Sequence, residues 1–156
     1  MMTDELRSAV EAVCAADPDV ADRGELDAMV ADARRVRAAL DAFELRCARR
    51  SRELADAGRA EAPESMFART GGRSSKQSRE LAERAALGDA LPDFETALGA
   101  AAVSAGHLDA LAAARRGLDD AQRVEFDDHE PALLAAAATE RVDTFARRCR
   151  ELARRV

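Results

Sequence analysis

The chain has 156 residues; 47% are hydrophobic but only 3% aromatic, with no Trp or Tyr, so much of the apolar content is alanine. Alanine favours helix and lets helices approach closely, and no alternating Val/Ile/Thr run supports a sheet. One all-α domain over residues 1–156 is expected. The formal net charge of −6 opposes nonspecific attraction to phosphates, and no apolar run reaches the roughly eighteen residues of a membrane span.

Thr3 is placed to cap a first helix, with Asp4 and Glu5 near its positive end and Leu6, Val10, Val13 and Cys14 facing inward. Asp17-Pro18 ends it. Asp22 and Glu25 have capping-box spacing for a long second helix over about 26–58, with Gly58 in the left-handed C-terminal position. Its apolar positions form a seven-residue repeat: Leu26, Ala33, Leu40, Cys47 and Leu54 in one set, Met29, Val36, Phe43 and Ala57 in the other, with Arg50 interrupting the second. Such a seam is coiled-coil-like and is satisfied either inside the domain or by a second copy of the chain. The arginines around it read as a solvated face whose aliphatic stems lie over the seam.

Residues 63–117 read as a helix-turn-helix-like core. Pro63 suits the start of a helix carrying Met66 and Phe67 inward, and Gly71-Gly72 stops it. Ser74 with Gln77 is a second capping box, and Ser78, Leu81, Ala82 and Ala85 form the inner stripe of the helix that follows. Two short helices joined by a glycine turn are the pattern in which the second helix enters the DNA major groove. Lys76, Gln77 and Arg79 are then suited to base edges, and Arg69, Arg73 and Arg84 to phosphates. Glu80 and Glu83 share that exposed region and oppose the reading.

Pro92 opens the next helix with Phe94, Ala97 and Leu98 inward, and Ser104 caps another ending at Gly117. In the C-terminal part, 119–156, Asp119 and Gln122 form a third capping box. Pro131 then precedes LLAAAA, and a last stripe comprises Val142, Phe145, Ala146, Cys149, Leu152 and Val156.

Catalysis has little to stand on. There are two histidines, His107 and His129, and no asparagine. No nucleophile elbow, phosphate-binding loop, zinc-protease motif or C-x-x-C is present. His107, in the first turn of its helix, reads as a capping or packing residue. Asp127-Asp128-His129-Glu130 reads as a solvated turn, since adjacent residues there point in different directions. Cys14, Cys47 and Cys149 are odd in number and far apart, which fits reduced, buried thiols in a cytoplasmic protein rather than metal ligands or disulfides. No metal, cofactor, small-molecule substrate or membrane partner is expected.

The run R-T-G-G-x-S-x-x-x-S-x-x-L-A, then L-P, A-L and V-S-A-G-H, Arg69 to His107, resembles the N-terminal domain of the 13E12 repeat family. That domain of unknown function, number 222 of its series, is usually fused to a C-terminal HNH endonuclease. Ala39–Gly58 and Leu133–Val156 also resemble the family, so the likeness runs from about Leu26 onward. The L-P…A-L…S-A-G-H order is similar as well to the helix-turn-helix core of ParB-type partition proteins. Met66-Phe67 stands where the family usually has a Trp-containing pair. The His-Asn-His set of the nuclease is absent from these residues. The resemblance implies a module that binds or positions double-stranded DNA without cleaving it. The alternative is a helical interaction module that forms a homodimer through Leu26, Met29, Val36, Leu40, Phe43 and Cys47, with no nucleic acid.

Overall fold

The computed structural model describes residues 4–156, and among them every regular element is helical. Helix α1 spans Asp4–Ala15 and a 3-10 turn spans Pro18–Val20. The long α2, Arg23–Asp56, is followed by α3, Pro63–Thr70, and α4, Ser75–Leu87. Then come α5, Pro92–Gly99, α6, Ala105–Arg115, α7, Asp120–Asp127, α8, Glu130–Ala137, and α9, Val142–Ala153. The expected cap at Thr3 and the inward side chain of Leu6 lie outside the described residues.

The capping chemistry holds the boundaries. Asp22 accepts from the Glu25 amide at 2.9 Å while Glu25 accepts from the Asp22 amide at 2.8 Å, which satisfies two of the donors that a helix start leaves unpaired. Ser74/Gln77 and Asp119/Gln122 repeat that reciprocal pair on α4 and α7. Pro63, Pro92 and Pro131 sit in the first turns of α3, α5 and α8, where their missing N–H costs nothing. Gly58 closes α2 at φ +68°, the left-handed conformation expected of it.

The core lies where α2, α4, α5, α6 and α9 meet. Phe94, Phe126 and Phe145 are fully buried with Leu81, Leu91, Leu98 and Leu111, each such side chain contributing about 1.5–3 kcal/mol of burial. The Phe94 and Phe145 rings stand 6.2 Å apart at a tilt, an offset favoured by their quadrupoles.

Helix α2 turns a different face to this core from the one its large residues suggest. Its buried positions are Ala38, Ala42, Leu45, Ala48 and Ser51, a small-residue stripe onto which α4 and α5 close. The expected seam points the other way: Leu26 is 39% exposed, Leu40 38% and Phe43 52%, with Val30 beside them at 69%. Met29 and Val36 are half-buried beside α1, and Cys47 half-buried at the core's edge. The seam is therefore covered within the domain only in part, at Met29, Val36, Cys47 and the half-buried Ala33 and Leu54. The physical reason is distance: helices reach each other most closely across alanine, and the fold buries many backbone and Cβ contacts there rather than a few large side chains. One cysteine expectation is also corrected, because Cys14 is exposed on α1 while Cys149 is buried.

Candidate nucleic-acid interface

Helix α4 follows α3 across a four-residue connection in which Gly72 takes φ +61°, a conformation that side chains other than glycine adopt at a cost. α4 packs on α2, α3 and α6 at once, so its position is set from three sides. Ser78, Leu81, Ala85 and Leu87 face those neighbours, and Ser75, Lys76, Gln77, Arg79 and Ala86 remain exposed.

The candidate contact residues divide sharply. Lys76 is 85% exposed, with Nζ 3.8 Å from Glu80, and Arg79 is exposed without an ion pair among the described residues. Both lie in the first two turns of α4, on its outer side. Gln77 is on the same turn, but its side-chain oxygen accepts from the Ser74 amide at 2.9 Å and is committed to the cap. Arg69 pairs with Glu61 and is otherwise open to solvent. Arg73 is three-quarters buried and pairs with Glu44 of α2.

Arg84 does not belong to the surface. Its side chain is only 11% exposed, and its Nε donates to Asp109 of α6 at 2.5 Å. Residue 84 falls on the flank of α4 that meets α6, where an unpaired guanidinium would carry a heavy desolvation cost; Asp109 offsets it. The expectation that Arg84 contacts phosphate is corrected accordingly. Burial pushes the Asp109 carboxyl above its usual range, and the neighbouring Arg84 pulls it back. Asp41 of α2 is raised by the same cause and opposed first by Arg84 as well. Arg84 thus ties α2, α4 and α6 together electrostatically.

The outer side of α4 is nearly balanced in charge. Glu83 accepts from Arg116 at 2.7 Å, and Glu80 lies by Lys76, leaving Arg79 as the charge that no neighbouring carboxylate offsets. The neutralising partners Glu44 and Asp109 stand 29 and 25 residues from the arginines they meet, a separation no local motif signals.

The two histidine regions hold the fold together. His107 is buried; its Nδ1 accepts from the Ser104 amide at 3.2 Å, so Nε2 carries the proton and donates to the Glu140 carbonyl at 3.2 Å. Its ring packs on Phe145, centroids 5.3 Å apart. Next to it, a Cβ on Gly106 would sit 3.3 Å from both Val142 methyls, so glycine is what lets α6 lie on α9. The V-S-A-G-H segment is therefore a corner of the core, with Val103 buried and Ser104 and His107 capping α6. In the acidic turn, Asp127 receives Arg115 twice at 2.8 Å and Glu130 accepts from the Asp93 amide at 3.0 Å. Among the described residues no three metal-ligating side chains gather in one place, and no helix is long and apolar enough to cross a membrane.

Comparison with protein-family models, curated proteins and solved structures returns no match to the chain.

Proposed function

We propose that the chain is a DNA-positioning module that meets the duplex with the first two turns of α4 and performs no cleavage itself. The observation that carries this reading is the placement of Lys76 and Arg79 side by side on the outer face of a helix held rigidly on three sides and entered through a tight glycine turn. Rigid presentation matters because a contact made by a pre-ordered side chain loses less entropy on binding. Arg69, on the adjoining α3, extends the basic edge toward a phosphate. The resemblance to the N-terminal domain of 13E12 repeat proteins supports the same role, since there the HNH module that would act on the positioned DNA is a separate domain.

The geometry supports weak binding. Arg73 and Arg84 are held by carboxylates of the domain itself, and the net charge of −6 works against the approach of a polyanion. Fluorescence anisotropy with a labelled duplex at about 50 mM salt, where electrostatic binding is favoured, tests the reading. Lys76→Ala and Arg79→Ala each weaken binding, while Arg147→Ala on the exposed side of α9 does not. Equal weakening by all three would place the effect in overall charge rather than in α4, and the proposal would fail.

A further inference from the structure

The cations around α4 differ in how firmly the domain holds them, and the difference singles out Arg73. We propose, resting on the reading of α4 as the duplex contact, that Glu44 of α2 withholds Arg73 from the duplex. The Arg73–Glu44 pair is then an autoinhibitory contact that must open before the domain binds at full strength.

Arg69, Lys76 and Arg116 are paired with Glu61, Glu80 and Glu83, but each of the three cations is more than half exposed. Ion pairs this open hold their partners weakly, so a phosphate exchanges with the carboxylate at little cost. Arg84 stands at the other limit, enclosed between α4 and α6 with Asp109 completing the packing. Arg73 lies between them. Its side chain is 26% exposed and that of Glu44 32%. That is open enough for a phosphate to reach the guanidinium and enclosed enough for the carboxylate to hold it.

The place of Arg73 in the chain gives the pair its effect. Residue 73 directly precedes Ser74, the cap of α4, at the same end of the helix as Lys76. A cation there is placed for the phosphates flanking the bases that the first turn faces. A Cβ on Gly72 would meet nothing within 4 Å, so the turn leaves room for the Arg73 side chain to change partner. Glu44 has no other hydrogen-bond or ion-pair partner among the described residues. Asp41, one turn earlier on α2, is also within Coulombic reach of Arg73, but Arg84 is the cation that first opposes its burial. Glu44 therefore decides whether Arg73 is available. Its carboxylate takes the same guanidinium donors that a phosphate would take, and the duplex must displace it.

Fluorescence anisotropy with a labelled duplex over a range of salt tests the pair through a double-mutant cycle. Glu44→Gln, with an unchanged helical circular dichroism spectrum, is expected to raise the affinity about threefold at about 50 mM salt. It should also steepen the log–log salt slope by about one, for the phosphate that Arg73 then neutralises. Glu125→Gln, which removes an equal charge from the exposed side of α7, is expected to leave the slope unchanged. Arg73→Ala alone leaves it unchanged as well, and in that background Glu44→Gln adds no more than Glu125→Gln does. Glu44→Asp keeps the charge and draws the carboxylate back by one methylene. It is expected to raise the affinity in the same direction, and keeps the test open if Glu44→Gln fails to fold. A gain from Glu44→Gln that survives Arg73→Ala, or no gain at all while the unaltered chain binds, overturns the proposal and leaves the reading of α4 standing. A flatter slope in Arg73→Ala alone also overturns it, since Arg73 would then already meet the duplex. No binding by the unaltered chain or by Glu44→Gln at the lowest salt overturns the reading of α4 and this contact with it.

Discussion

Replacing Arg84 by Met removes a charge that the structure uses inside the domain and leaves most of the aliphatic stem. The Arg84 side chain is 11% exposed and Asp109 42%, so the pair stands between two regimes. An exposed pair is worth at most about 1 kcal/mol, and breaking a buried one costs about 3–5 kcal/mol. The expected loss is about 1–3 kcal/mol at neutral pH, or about 2–4 °C in Tm per kcal/mol for a chain of this size. The pH dependence identifies the cause. Burial raises the folded pKa of Asp109 above the ordinary carboxylate value of 3.8, so the native state holds the proton more tightly than the unfolded state. Stability therefore falls as pH rises from 3.8 through the folded pKa, and the penalty is complete above it. Without Arg84 the folded pKa moves further up, and the penalty at neutral pH grows. Urea unfolding across pH 3–7 should show the Arg84→Met defect at its largest at pH 7 and shrinking toward the acid end. Arg84→Met combined with Asp109→Leu should recover part of it. A defect that is the same at every pH, or no defect at all, would refute the assignment of Arg84 to the interior.

Three further outcomes follow from side chains already placed. The Ser78 hydroxyl is fully buried and, among the described residues, has no hydrogen-bond partner; Ser78→Ala is expected to stabilise the protein by about 1 kcal/mol in urea unfolding, from relieved desolvation and better helix propensity. Ala101 follows α5 at φ +57° with its amide donating to Leu98 at 2.9 Å, so Ala101→Gly should raise stability by about 1 kcal/mol, and a lowered Tm would contradict the strain. Cys149 is buried, which pushes its thiol up to about 12, whereas Cys14 is exposed. A thiol reagent at pH 8 should modify Cys14 in the native protein and Cys149 only after unfolding.

Much of this fold is written in short-range chemistry. Asp22 with Glu25, Ser74 with Gln77 and Asp119 with Gln122 announce helix starts three residues at a time, and proline at 63, 92 and 131 does so by its own stereochemistry. The buried face of α2 was harder to read, because a heptad of Leu, Met, Val and Phe outweighs alanine in any count of hydrophobicity. The signal was nonetheless present: Ala38, Ala42, Leu45 and Ala48 recur at helical spacing, with Gly99 on α5 so close that a Cβ there would lie 3.8 Å from that of Ala42. The candidate interface was legible as a helix and a turn but not as a set of available charges. Whether an arginine meets solvent or a carboxylate depends on partners brought together by packing, as with Arg73 and Glu44 or Arg84 and Asp109.

The central claim is that Lys76 and Arg79 present a DNA-facing surface, and salt dependence tests it most directly. Duplex affinity measured over a range of salt should fall linearly on a log–log plot; Arg69→Ala should flatten the slope by about one, for one lost phosphate neutralisation, and Lys76→Ala with Arg79→Ala should lower the affinity at every salt concentration. An unchanged affinity in the double variant, or no detectable binding at the lowest salt, would contradict the account.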